Sequence, residues 1–233
     1  MSAGPPEPVL PDWDGAGLHR VVPSLLGELA HPGRTPLPDW FPEPVAGADQ
    51  VVLLVLDGLG EEQLRDRRSL APVLTGGVGG PITSVAPSTT ACALTTLVTG
   101  RTPAEHGVIG YRLALHGEVM NVLQWSVGGV DARMSVPASR FQPCQSFPGA
   151  RAPVPVVTRQ DFGPTGFTAA HLGDVDLHRW HTPAGLVTAV RDLLLGLLAL
   201  QTGLIQQAHL VAAFHAWTHD KSRPLADHLV ALA

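Results

Sequence analysis

Six consecutive apolar residues, VVLLVL at 51–56, end on a carboxylate, Asp57, followed at once by Gly58. The run is too short for a helix and too continuously apolar for a strand with one wet face. Flanked by turn residues, it has the pattern of a strand buried on both faces, as in a parallel sheet. Residues 61–74 carry Leu64, Leu70 and Leu74 as the apolar points of a helix, and GGVGG then supplies a flexible turn. PITSVA reads as a second short strand, and residues 90–99 read as the next helix, closed by Gly100 as a C-cap. Strand, helix, strand, helix in that order predicts an α/β domain with a mostly parallel sheet flanked by helices.

The rest of the chain is punctuated by proline and glycine. Residues 1–17 are rich in Pro, Gly and acidic groups and read as a loose arm. Residues 19–29 carry helical spacing at Val22, Leu25, Leu26 and Leu29, with Pro23 tolerable only in the first turn. HPGRTPLPDWFPEP, at 31–44, excludes a regular element. Residues 119–125, 154–157 and 166–170 have the character of further short strands, and 186–200 is the clearest long helix.

Composition narrows the function classes. At 233 residues the chain is long enough for one large domain, or one and a half, with a sizeable core. Charged residues make up 15% and the net charge is -5, so the basic stripe of a nucleic-acid surface is missing. The longest apolar run, 193–200, is too short to span a bilayer, and no secretory signal is visible at the N-terminus. Two cysteines, Cys92 and Cys144, form no disulfide framework and no CxxC pair, which fits a reduced compartment. A cytoplasmic protein is the expectation.

Asp57 ends a strand, where the ligands of open α/β sheets bind, and Gly58 and Gly60 let the backbone turn sharply beside it. A carboxylate there suits a hard or borderline cation, or equally well a cap on the following helix. PSTT at 87–90 places hydroxyls at a helix N-terminus, where the macrodipole and unpaired amides favour a phosphate and some alkoxide character. An ordinary Ser/Thr N-cap has the same pattern.

The segments LDGLG, PSTTACALTTLVTG and PAEHGVIGY, in this order and spacing across residues 51–111, resemble the alkaline phosphatase superfamily, in its type I phosphodiesterase/nucleotide pyrophosphatase branch. A less distinctive stretch carries the likeness to bacterial members on to about residue 194. The resemblance implies an alkaline-phosphatase-like layered fold and a metal-dependent hydrolase of phosphodiester or pyrophosphate bonds in small phosphorylated substrates. It also implies that Asp57 and Thr90 are ligands of one metal in a two-metal site, usually zinc. Thr90 falls on the position of the nucleophile, with Thr89 and then Ser88 as its less favoured neighbours. His106, in PAEHGVIGY, is carried over only as part of that loop's structure.

Two departures qualify the resemblance. Nucleotide-cleaving members have an Asn three residues after the nucleophile, where this chain has Ala93, so a nucleotide substrate does not follow. The family also completes its metal sites from a C-terminal half holding an Asp and a His four apart, an Asp-His-Gly and a last His. Here no Asp and His four apart stand at the expected place, and Asp227-His228 is followed by Leu229 rather than Gly. The resulting expectation has three parts: an N-terminal arm and connection at 1–45, a partial hydrolase domain at 46–194, and an atypical, possibly frameshifted segment at 195–233. The fold would be incomplete at its C-terminus, and the chain would supply at most half of a metal site. Its activity would be impaired, and its exposed apolar surface would promote self-association. The alternatives are a non-catalytic remnant that binds phosphate or a protein partner, and a sulfatase or mutase relative on the same fold.

Other chemistry lacks its motif. His215 and His219 are four apart without the Glu of a zinc protease, and Asp174, Asp176, His178 and His181 read as a solvated face. GGVGGPIT has no Lys followed by Ser or Thr, and neither GxGxxG nor GxSxG is present.

Overall fold

A computed structural model describes residues 9–30, 37–201, 205–220 and 222–231. Residues 1–8 of the expected arm, 31–36 of the proline-punctuated connection and 202–204 of the C-terminal segment lie outside that description. The chain divides into two units, one made of Met1–Val154 and Thr165–Asp174, the other of Pro155–Pro164 and Val175–Ala233.

In the first unit, α1 (Val21–Ala30) keeps Pro23 in its first turn, where no helical hydrogen bond is lost. It buries Val21, Val22 and Leu25 against Leu97. The helix expected over 61–74 is broken into α2 (Glu61–Asp66), a 3-10 turn at Arg68–Leu70 and α3 (Pro72–Thr75). Pro72 is the cause, since it lacks an amide donor and steers the preceding residue away from helical geometry. α4 (Thr90–Thr99) has the expected bounds and ends as expected on Gly100, at φ 65°, whose N–H bonds back to the Thr96 carbonyl at 2.9 Å. α5 (Pro103–His106) opens with Thr102, whose N–H and hydroxyl both donate to Glu105 Oε2 at 2.8 and 2.9 Å.

The sheet that follows corrects the expected fold class. Its strands, β1 (Arg112–Leu115), β2 (Glu118–Asn121), β3 (Ser126–Val127) and β4 (Val130–Asp131), form an antiparallel meander rather than a parallel sheet. Two-residue turns force this arrangement. His116-Gly117 and Gly128-Gly129 all have positive φ, and each pair closes a hairpin whose strands must run in opposite directions. The stretch 51–56 joins no sheet, and PITSVA contributes only an isolated bridge between Thr83 and Gly17. α6 (Ala138–Phe141) and α7 (Gly166–His171) pack beneath the meander. The expectation of a strand at 166–170 fails because Thr165 acts as an N-cap, its hydroxyl accepting the Thr168 N–H at 3.1 Å.

Trp125 anchors the core between α4, α7 and the meander, with Ala91, Val108, Met120, Val122 and Phe167 around it. Its indole N–H donates to the Val136 carbonyl at 2.9 Å, and its ring meets Phe141 edge-on at 5.1 Å. Two buried histidines complete this unit. His106 Nδ1 accepts the Val108 N–H at 3.1 Å, so its proton sits on Nε2 and donates to the Thr96 hydroxyl at 2.8 Å. His171 donates from Nδ1 to the Phe167 carbonyl at 2.6 Å and stacks on the Phe167 ring at 4.1 Å.

The second unit holds a parallel pair, β5 (Pro155–Arg159) and β6 (Asp176–Trp180), with Val157 opposite His178. Three helices accompany it: α8 (Pro183–Gln201), α9 (Gln207–His219) and α10 (Leu225–Val230). Their core gathers Ala189, Ile205, Leu210, Ala213, Trp217 and Leu225. A Cβ on Gly196 would lie 2.8 Å from Leu210 Cδ1, which marks how closely α8 and α9 approach. Asp192 is almost fully buried, paired with Arg191 at 3.0 Å, and accepts the Leu225 N–H at 3.4 Å. His178 is likewise buried rather than solvated. Its Nε2 pairs with Asp176 at 2.9 Å, and its ring lies near Phe214 and Trp217 at 5.9 and 5.8 Å.

Two measurements check this account. Gly100→Ala places a Cβ against Pro23 of α1 at a left-handed φ, and is expected to cost about 2–3 kcal/mol in urea unfolding. An unchanged midpoint would contradict the α1–α4 packing. Burial lowers both His106 and His171 from the ordinary value of 6.5 to about 4. The unfolded chain therefore takes up protons first as the pH falls. Stability should be complete above about 6.5 and be lost between there and about 4, by up to about 1.4 kcal/mol per pH unit for each histidine. His106→Gln should remove its share of that slope, and flat stability from pH 7 to 5 would overturn the assignment.

Candidate functional site

Thr90 is the first residue of α4, and the burial of that helix positions its side chain. Ala91, Cys92, Thr95, Thr96, Leu97, Val98 and Thr99 are all buried. The interior threonines are satisfied within the helix, Thr95 donating to the Ala91 carbonyl at 2.8 Å and Thr99 to the Thr95 carbonyl at 2.7 Å. Cys92 is fully buried, and desolvation lifts its thiol to about 11, so it is a packing residue rather than a nucleophile.

The Thr90 hydroxyl donates to Asp57 Oδ2 at 2.8 Å, across 33 positions of sequence. The two side chains that the sequence singles out are therefore in direct contact. Both simpler readings of these residues find no support in the geometry. Asp57 caps no helix, since α2 has Gly60 as its N-cap and no side-chain capping bond. Thr89 is the N-cap of α4, yet its hydroxyl makes no capping bond and is buried without a partner. Ser88 is exposed. Gly58, at φ 79°, turns the chain immediately after Asp57.

The two partners have unlike surroundings. Thr90 is half-buried on a packed helix, whereas Asp57 is exposed, as are nearly all residues from 52 to 82. A groove of about 460 Å³ lies between α2 and the glycine run, lined in part by Glu61, Arg65 and Arg68, but neither Asp57 nor Thr90 lines it. His106 is buried, and both of its ring nitrogens are engaged, which agrees with a structural part in its loop.

A tetrahedral zinc takes three or four protein donors. Asp57 and Thr90 offer two oxygens, and no group of three or more His, Cys, Asp or Glu that could hold a metal occurs among the described residues. The donor set does not fit a complete metal centre. His215 and His219 meet edge-on at 4.8 Å, and no third donor joins them among the described residues. Asp176 and His178 form an acid–histidine pair in which the histidine is buried and the carboxylate exposed; its signal lay in the alternation along β6, although alternation alone does not show which side is covered.

Among the described residues no helix is long and apolar enough to cross a membrane. No curated protein and no solved structure matches the chain. A sequence model of the type I phosphodiesterase / nucleotide pyrophosphatase family matches residues 51–127, less than half of the chain. That match points to phosphodiesterase- or pyrophosphatase-type hydrolysis, and it spans the stretch in which Asp57 and Thr90 meet.

Proposed function

We propose that this chain carries the nucleophile half of a phosphodiester or pyrophosphate hydrolase, with Thr90 attacking phosphorus. The single observation that supports the reading is the 2.8 Å hydrogen bond from Thr90 to Asp57, made within the family-matched segment. Asp57 orients the hydroxyl and lies where it can accept its proton as Oγ1 bonds to phosphorus and the ester oxygen leaves. The unpaired amides of the first turn of α4 suit the non-bridging phosphoryl oxygens. Water then splits the phosphothreonine and restores the hydroxyl. The family's chemistry is metal-dependent. In a complete site Asp57 and Thr90 would be ligands of one ion, but the donors described here fall short of that set. Slow turnover follows. The missing third donor also favours a second reading, a remnant that binds phosphate without hydrolysing it.

On purified protein, slow hydrolysis of bis-p-nitrophenyl phosphate is expected to vanish in Thr90→Ala and persist in Thr90→Ser. It should fall roughly 100-fold in Asp57→Asn. Turnover untouched by Thr90→Ala would remove the mechanism. Phosphate binding with no turnover would favour the remnant. Zinc added and then separated by gel filtration should not be retained at a stoichiometric level, because two donors hold it weakly. Retention of two equivalents would show a ligand set that Asp57 and Thr90 do not account for.

A further inference from the structure

His215 and His219 form a motif that hydrolysis at Thr90 leaves unused. Both lie on α9, whose Leu210, Ala213 and Trp217 are buried in the core of the second unit. That choice of inner face leaves Val211, Ala212, His215, Thr218 and His219 exposed. Residues four apart on a helix are neighbours on one face, so the two imidazoles stand side by side in water. Their ring centres are 4.8 Å apart, and among the described residues no hydrogen bond takes up a nitrogen of either ring.

This separation is the one that a shared ion requires. A ligating nitrogen lies about 2.0–2.1 Å from zinc and the ring centre about 1.1 Å behind it, so the centre is about 3.2 Å from the metal. Two such rings at angles between about 90° (square) and about 109° (tetrahedral) have centres about 4.5–5.2 Å apart. The 4.8 Å between His215 and His219 falls within that range. Their present interplanar angle of 63° is no obstacle. The Cβ–Cγ bond points at the ring centre, so rotation about it re-aims the nitrogens without moving the centre, and that torsion is soft. His219 is also the last residue of α9, where the negative end of the helix dipole favours a cation.

We propose that His215 and His219 together bind one borderline divalent cation, copper(II) more tightly than nickel(II) or zinc, with water in the remaining positions. A zinc protease needs a third ligand and a base, whereas chelation needs only the paired imidazoles. Two donors leave the ion exchangeable, in keeping with loss of zinc on gel filtration. The site requires no catalytic role of Asp57 or Thr90.

Copper(II) chloride is titrated into the full chain in a Cys144→Ser background, which removes the less buried of the two thiols. Electron paramagnetic resonance of the first equivalent should show two coordinated imidazole nitrogens. His215→Ala and His219→Ala should each weaken this binding at least about tenfold, since even an outer-shell partner of a metal ligand is worth that much. The double variant should lose little more than either single one, because a chelate is broken by loss of its first donor. Alanine at these exposed helical positions keeps the fold. Magnesium in excess should not displace the copper, because it prefers oxygen ligands. A first equivalent bound equally well by the double variant, a spectrum with a single nitrogen, or displacement by magnesium would each overturn the proposal.

Discussion

Burial of α4 is the constraint on which the first unit depends. Ala91 belongs to the core under the meander, Leu97 belongs to the core with α1, and Thr96 holds the imidazole of His106. A helix rich in threonine has little intrinsic propensity, so packing supplies its stability. Small side chains let it be enclosed on several sides, and hydroxyls that bond back to the preceding turn keep the enclosure free of unsatisfied donors. Gly100 ends the helix against Pro23, where a larger residue would not fit. With its interior and C-terminal end anchored, the helix has a set direction. Thr90, at its first turn, therefore has a defined position before any partner is considered.

Asp57 is held far less firmly. Of the segment that carries it, Val51 packs partly against the α1 core, while none of the residues from 52 to 82 is buried. Fully burying a Val or Leu side chain is worth about 1.5–3 kcal/mol, so five such residues left half in water forgo several kcal/mol. The hydrogen bond to Thr90 contributes on the order of 1 kcal/mol, and it is exposed. One bond of that size cannot order a segment of thirty residues against its conformational entropy. The pair thus joins a rigid member to one whose local opening is cheap.

Some of this is legible in the sequence because local signals act alone. α4 and its glycine cap, the strand expected at 154–157 and found at Pro155–Arg159, and the long helix expected at 186–200 and found as α8 are read from local patterns and capping chemistry. The meeting of Asp57 and Thr90 is read from a motif rather than from geometry. The errors arise where a pattern states a requirement that the chain does not meet. VVLLVL carries the composition of a strand buried on both faces, yet only Val51 packs against a core and the five residues after it are left exposed. The meander has its own signals in His116-Gly117 and Gly128-Gly129, whose positive φ values make hairpins, and the α/β pattern upstream says nothing about them. At α7, one capping threonine decided between helix and strand for a segment too short for periodicity to decide. His178 shows the complementary limit, since its alternation with Asp176 identified a shared side but not the Phe214 and Trp217 rings that cover it.

The incomplete chemistry and the incomplete packing lie on adjacent residues, and each bears on the other. Asp57 follows Leu56 directly, so whatever covers 51–56 also removes solvent from the start of the Asp57 turn. In water the carboxylate is well solvated, and its bond to Thr90 is correspondingly weak; as solvent is excluded, the same bond gains electrostatic strength. A carboxylate losing its hydration also needs more than one donor, because an under-paired buried charge is costly. Thr90 supplies a single hydroxyl, and no third ligating group stands beside it among the described residues. Covering the apolar run without adding a donor or cation at Asp57 would therefore strain the site, whereas adding one without covering the run would leave it screened and weak. Each deficiency is relieved fully only when the other is, so the hydrolysis proposed at Thr90 would require both together.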